Sequence, residues 1–544
     1  MPGRIEPGGA VGGIAPSTWL VWLAFCAWLA PLGLREYWFP DEPDVALPVL
    51  EMLRSGNWIV PTAMDAPWLD YPPLTYWGGI LWSQLLGATP LALRLTPLIS
   101  AVVFLLSTAS IARRVAGRDA AWQATLVGVA TPLVWMMATT LQVDMPFAAP
   151  QAAGFALYLA GDDRRGTAAL GWRVAAFACF GVAILAKGPL GLLLPGFILV
   201  LWHASHREWS RIVLLAPLAL ASLAVAALWY GPLVKQLGAD FVGRELWLQN
   251  FDRFGTTTRG HGGKGALYYL KSLASDLGPW VLLLPAALWQ AWRERSSRYL
   301  RLAGIWFLVS LLFLSAASTK RNVYLLPAYP AVLALLGGWL AGQRGSRWLR
   351  VMLWASAALF VVVALALAVW LHTPLATSAR IAPLAGALGL PSLALAAVFG
   401  IGAAGIVVLL RKGAVPRAVG ALSVAMLSAF ASAMWLVMPV IDGARQYSVA
   451  ARQVMAQSPG TGPIGFFAPG LEKTKRAGWL CYLEGRHLEF LAEPDVARRW
   501  LEAKPGRVLL SDPETAPPVP GTHEVARWRL ADQEWVLRVA DPTG

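Results

Sequence analysis

From residue 17 to residue 440 the chain alternates long apolar runs with short polar junctions. A helix crossing about 30 Å of hydrocarbon needs roughly 17 to 25 predominantly apolar residues. Runs of that kind fall near 17–34, 91–112, 119–139, 145–161, 170–187, 189–205, 211–232, 278–293, 299–317, 322–341, 350–372, 387–410 and 418–440, which predicts about thirteen transmembrane helices. Past residue 440 the pattern changes. Short β-like runs (Ile464 to Phe467, Arg507 to Leu510, Trp528 to Leu530, Trp535 to Val539) surround an amphipathic helix near Pro494 to Ala503, the pattern of a small α/β domain. The expected organisation is a polytopic α-helical membrane domain over 1–440, with long loops at 35–90 and 233–277, followed by an α/β domain over 441–544.

Composition agrees: 57% of residues are apolar and 14% charged, against about 25% charged in soluble globular domains. A net charge of +14 would suggest nucleic acid in a soluble protein. From residue 441 onward, however, 13 Lys/Arg face 13 Asp/Glu, so the excess lies among the apolar runs, and no nucleic-acid partner is expected. It falls at alternate junctions: Arg113/Arg114/Arg118, Arg164/Arg165, Arg207/Arg211, Arg293/Arg295/Arg298/Arg301, Arg344/Arg347/Arg350 and Arg411/Lys412/Arg417. Cytoplasmic loops carry such an excess. The N-terminus is therefore expected in the cytoplasm and the C-terminal domain on the opposite face. Counting Pro73 to Ala88 as a further span would put the Arg113 cluster outside, so that segment is expected along the interface, with Tyr71, Tyr76, Trp77 and Trp82 at headgroup depth. Cys26, Cys179 and Cys481 make no disulfide framework.

The chemistry is expected at the outer face. Asp41 and Glu42 follow the first span, Asp65 and Asp70 precede Pro72-Pro73, Asp144 lies between the third and fourth spans, and Lys187 sits in a tight Lys-Gly-Pro turn. Lys320-Arg321 is a cationic pair on the wrong side for the charge rule. Asp41 and Asp144 also suit helix N-caps, and Lys187 could snorkel to headgroups. Acids and bases converging on one membrane face fit an anionic, membrane-borne substrate, and a phosphate suits the lysines and the arginine. The second long loop runs through Glu245, Gln249, Asn250 and Arg253 into a Gly-rich cationic stretch with His261, suited to a lid. His261 with Asp70 is a candidate zinc pair.

These residues carry a resemblance. Asp41-Glu42, Gly56-Asn57-Trp58, Asp70-Tyr71-Pro72-Pro73-Leu74-Thr75-Tyr76-Trp77, Ala92-Leu93-Arg94-Leu95, Arg113-Arg114, Asp144-Met145-Pro146, Lys187-Gly188-Pro189, Gln249 to Phe254 and Lys320 to Pro327 occur in order over about 35–340. The chain resembles GT-C membrane glycosyltransferases that use polyprenyl-phosphate sugar donors, and is most similar to the bacterial aminoarabinose transferases that modify lipid A. The resemblance implies thirteen spans, catalysis on the periplasmic face of the bacterial inner membrane, and a small periplasmic C-terminal domain. It implies an essential acid at Asp41, and Lys187, Lys320 and Tyr324 near the donor phosphate. Glu42 and Asp144, acids on the same face, join Asp41 as catalytic candidates, and Asp70, Tyr71, Arg253 and Arg321 are candidate substrate contacts. Where that family has Glu-Lys-Pro-Pro, this chain has Asp70-Tyr71-Pro72-Pro73, a departure that bears on a metal at Asp70 and on the sugar.

The expected reaction moves a sugar, 4-amino-4-deoxy-L-arabinose in the first reading, from undecaprenyl phosphate to a lipid A phosphate with inversion. Another lipid-linked sugar (a hexosamine or mannose), or another acceptor such as a protein hydroxyl, is the alternative. A secondary transporter would place its charges near the bilayer midplane within internal repeats, whereas here they lie at one face.

Overall fold

The computed structural model describes residues 16–38, 41–249, 264–342, 346–373, 382–443, 446–469, 473–530 and 533–541. Among these, nine helical stretches are long and apolar enough to cross a membrane, and two shorter apolar helices, Thr18–Leu34 and Leu190–Ser205, join them. One long stretch, Pro90–Val129, is two rods in sequence: Ala116 and Gly117 leave helical geometry, and Gly117 at φ 81° makes the break beside Arg118.

The helix Tyr329–Gly342 forms the centre of the bundle, and of its residues Tyr329 to Leu340 all are buried. It lies against Pro90–Val129 so closely that a Cβ on Gly337 would come within 2.5 Å of the Ala120 carbonyl. Small residues at such contacts let helix backbones approach where hydrophobic burial adds little. By contrast, the window of Leu384–Arg411 is only 17% buried, as suits a helix whose apolar surface faces lipid.

The described residues of the loop expected at 35–90 form regular elements. Helix α1 (Pro16–Leu29) leads through it to α2 (Pro43–Ser55), closed by Gly56 at φ 68°. A two-residue hairpin follows, β1 (Thr62–Ala63) and β2 (Ala66–Pro67). Its turn residues Met64 and Asp65 both have positive φ, the conformation of a tight hairpin turn. Glu51 holds it, accepting from the Met64 amide at 2.7 Å. Helix α3 (Leu74–Leu86) covers the segment expected at the interface. That expectation fails for Tyr76, which is fully buried. Gly79 lets α3 approach Val49 of α2, where a Cβ would sit 2.9 Å away.

The C-terminal domain is a five-stranded mixed sheet in the order β4-β3-β5-β7-β6. Its strands are β3 (Ile464–Phe467), β4 (Leu488–Phe490), β5 (Leu509–Ser511), β6 (Thr522–Leu530) and β7 (Gln533–Ala540). β3 pairs in parallel with β4 and β5, while β7 is antiparallel to β5 and β6. Four strands were legible as short β-like runs. β4 is only three residues long, with a polar glutamate at its centre, too little for a period to register. The helix Pro494–Glu502 stands where its pattern placed it.

This domain is seated on the 35–90 loop. Leu47 and Ala63 share a core with Phe466, Trp479 and Trp535. The Tyr37 amide donates to the Tyr482 hydroxyl at 2.9 Å, Ser448 donates to Glu36, and Asp65 pairs with His487 at 2.8 Å. Asp65, one of the outer-face acids, therefore serves the domain contact.

Candidate active site

At the end of the bundle that bears this domain, a cavity of about 470 Å³ is lined by Asp70, Tyr71, Lys187, Glu245, Gln249 and Tyr324, with apolar side chains filling most of the rest of its wall. Its position follows from three helix ends.

The helix Gly166–Lys187 stops at Lys187 because Gly188 turns to φ 79°, its amide bonding back to the Ile184 carbonyl at 2.8 Å. The next helix, Leu190–Ser205, packs onto that last turn, where a Cβ on Gly191 would meet the Ile184 nitrogen at 2.3 Å. The turn thus presents Lys187 to the cavity. Its ammonium lies 2.5 Å from the Asp144 carboxylate and 4.1 Å from the centre of the Tyr324 ring. Asp144 is the first residue of its helix, Asp144–Asp162, and makes no capping bond there. Its partner is the lysine.

Lys320 and Arg321 stand between the helix Arg298–Ala316 and the 3₁₀ turn Asn322–Ala328. Arg321 reaches Asp41 with bonds of 2.9 and 3.0 Å, and Gln142 donates to the same carboxylate at 3.0 Å. Burial works against the Arg321 charge, but Asp41 and Asp144 outweigh it and hold its pKa above the ordinary value. Lys320 is buried, its ammonium donating to the Ala317 carbonyl, while Lys264 donates to its backbone oxygen at 2.9 Å. Asp276 accepts from Asn322 at 2.9 Å and so anchors the start of this turn. The capping role open to Asp41 does not hold, since helix α2 starts at Pro43 without a side-chain cap.

Asp70 accepts from Gln249 at 2.9 Å. Arg253 and His261 lie outside the described residues. Among the described residues no three His, Cys, Asp or Glu side chains converge as a metal site; the zinc expectation rested on Asp70 and His261.

Glu42 requires a correction. Grouped with Asp41 for catalysis on sequence, it is fully buried and gripped by Arg94 at 2.5 and 2.9 Å. It also accepts from the backbone amides of Trp38 at 2.6 Å and Leu141 at 2.7 Å. Burial alone would raise its pKa, but the guanidinium reverses the direction and holds it below the usual range. Arg94 in turn donates to the Leu32, Arg35 and Glu36 carbonyls. This pair ties the 35–90 loop to the bundle, so that Glu42 fixes the position of Asp41 from behind. Arg94 was visible as a cation in an apolar segment on the wrong side for the charge rule. Gln142 and Asp44 carried no sequence signal of their own, and Gln249 was visible only as part of the second long loop.

The fold has solved counterparts. ArnT from Cupriavidus metallidurans bound to undecaprenyl phosphate superposes with a TM-score of 0.81 at 24% identity, covering 97% of this chain and 100% of that one. The chain therefore has the GT-C fold that the resemblance implied. A profile of the dolichyl-phosphate-mannose-protein mannosyltransferase family matches residues 70–230. An undecaprenyl phosphate-alpha-4-amino-4-deoxy-L-arabinose arabinosyl transferase of Erwinia tasmaniensis is 33% identical over 372 residues, covering 65% of this chain and 66% of that relative. Its counterpart 2 in Pseudomonas fluorescens is 30% identical over 333 residues, covering 60% and 59%. The chain thus matches just under two thirds of the length of these relatives.

Proposed function

We propose that this protein transfers a sugar from undecaprenyl phosphate to a phosphate of lipid A, at the periplasmic face of the bacterial inner membrane. The sugar is 4-amino-4-deoxy-L-arabinose, as the names of the sequence relatives support. The observation that carries this reading is Lys187. A cation held over the Tyr324 ring at the wall of a mostly apolar cavity suits a phosphate attached to a lipid. In this reading thirteen helices cross the membrane. Dividing Pro90–Val129 at its break, counting the two short apolar helices and adding the helix Asp144–Asp162, which carries the apolar run at 145–161, is consistent with that number. The N-terminus is cytoplasmic and the C-terminal domain periplasmic, as the row of arginines at alternate junctions requires.

Transfer proceeds by single displacement. An acceptor phosphate oxygen forms a bond to the anomeric carbon as the bond to the carrier phosphate breaks, its electron pair leaving with the carrier through an oxocarbenium-like transition state. Lys187, Lys320 and Arg321 stabilise the charge growing on the leaving phosphate. The acceptor is already an anion, so no proton need be abstracted. Asp41, already paired with Arg321 and Gln142, then orients the acceptor or balances the positive sugar, and Asp144 sets the position of Lys187.

Mass spectrometry of lipid A from cells with and without the protein tests this reading. A pentosamine mass increment that depends on the protein is the expected result. An unchanged spectrum overturns the acceptor, and a hexosamine increment replaces the sugar.

A further inference from the structure

Asp44 differs from the other acids gathered around Asp41. Asp41 is paired with Arg321, Asp144 with Lys187, Glu42 with Arg94, and Asp70 accepts from Gln249. Asp44 lies in the first turn of α2, three residues after Asp41, and is half-buried. Among the described residues its carboxylate makes no hydrogen bond and no ion pair. It stands in the fields of Asp70 and Asp41, with Arg321 as the opposing charge, and burial together with those two acids pushes its pKa up to about 7. A carboxylate placed beside two others is costly unless a cation joins them.

A second observation points to the same place. Tyr76 is fully buried and its hydroxyl has no hydrogen-bond partner among the described residues. That hydroxyl faces the charges of Asp70 and Asp44 and the Tyr71 phenol. Buried polar atoms are ordinarily paired, so an orphan beside these acids marks the place of a missing group. An ammonium offers three donors, and a carboxylate, a second carboxylate and a phenolic oxygen can each accept one. A phosphate would be repelled there. Asp70 and Lys187 line one cavity, so a single zwitterionic ligand can meet both charges, its phosphate toward the lysine and its ammonium toward the acids.

We propose that Asp44, with Asp70 beside it and the Tyr76 hydroxyl behind it, takes the ammonium group of an amino sugar, and that Asp44 makes the enzyme select a cationic sugar over a neutral one on the same lipid phosphate. The proposal rests on the reading of lipid-linked sugar transfer and assigns that site its specificity residue.

The test uses the purified full-length protein, wild type and Asp44→Asn, with two donors: undecaprenyl phosphate carrying 4-amino-4-deoxy-L-arabinose, and its N-acetyl derivative, which is neutral at that nitrogen. Wild type favours the amine in kcat/KM by about 100-fold, and Asp44→Asn lowers that ratio at least about tenfold through KM for the amine alone. Asp44→Glu recovers part of the preference. Binding of undecaprenyl phosphate itself, without sugar, keeps its Kd in Asp44→Asn, which separates loss of the ammonium contact from misfolding. An equal loss on both donors, an unchanged ratio, or a Kd for undecaprenyl phosphate that rises in step with KM overturns the assignment while leaving the function standing. A wild-type protein that transfers neither sugar overturns the function, and this assignment with it.

Discussion

Two clusters of charge sit at opposite ends of the same bundle and obey different rules. At the end away from the C-terminal domain, Asp162 receives Arg173 at 3.4 Å, Arg211 at 2.8 Å and Arg298 at 3.3 Å. Arg298 also grips Glu208 at 2.7 Å, Glu208 accepts from His203 at 2.7 Å, and His203 meets the Tyr158 hydroxyl at 2.7 Å. These carboxylates are tied to helix after helix, and none of the cluster lines the cavity. At the other end Asp44 stands without a partner among the described residues, the Tyr76 hydroxyl is orphaned, and Lys187 leans on an aromatic face at the cavity wall. The first cluster is closed and holds helices together. The second is left incomplete, as sites that must receive a ligand are. Counting ion pairs would not have distinguished them; asking which polar groups remain unanswered does.

Breaking the open cluster at its centre has the largest expected effect. Asp41→Asn lowers sugar transfer by about 1,000-fold or more, roughly 4 kcal/mol of transition-state stabilisation, while the protein still inserts and melts as wild type; full activity would remove Asp41 from the chemistry. Glu42→Gln tests the pair behind it. Leaving Arg94 buried without its counter-charge costs about 3–5 kcal/mol, read as a lower thermal midpoint, and activity falls only as far as the folded fraction does. If Glu42→Gln melts normally yet is inactive, Glu42 belongs to the open cluster after all.

The next two predictions have opposite signs. Asp44 has its pKa raised in the folded protein to about 7, so its contribution is most favourable when protonated and is lost as pH rises through that value. Asp44→Asn should therefore stabilise the protein at pH 8, by up to about 4 kcal/mol from the size of the shift, with the gain shrinking toward pH 4. Glu208 runs the other way. Burial would raise it, but hydrogen bonds from Arg298 and His203 and the nearby arginine charges push it down to about 2. Its stabilising contribution is present above the ordinary carboxylate range and is lost as pH falls through about 2. Glu208→Gln should cost on the order of 1 kcal/mol at pH 7, after discounting for solvent screening at this partly exposed group, without changing transfer rates per folded molecule. Thermal melts of both variants across pH decide it: two shifts of the same sign would erase the distinction between the clusters.

Much of the architecture was legible because membrane insertion writes itself along the chain. Apolar length and the alternation of arginines are local signals, and so are the short β-like runs at Ile464 to Phe467 and Trp535 to Val539. The acids and bases at one face could be picked out because each stood where lipid or the charge rule disfavours it. Pairing is another matter. Asp41 and Glu42 are adjacent in sequence and alike in chemistry, yet one faces Arg321 from 280 residues away and the other Arg94 from 52.

Hydrophobic length and charge bias act residue by residue, so the helical bundle and the small C-terminal domain could be read along the chain. Which acid is a strut and which is free to act emerged only in the fold, as did the Asp44 carboxylate and the Tyr76 hydroxyl left unanswered near Asp70. Partnership is a property of space: a carboxylate's role follows from what stands within about 3 Å of it, and the chain alone does not state that distance.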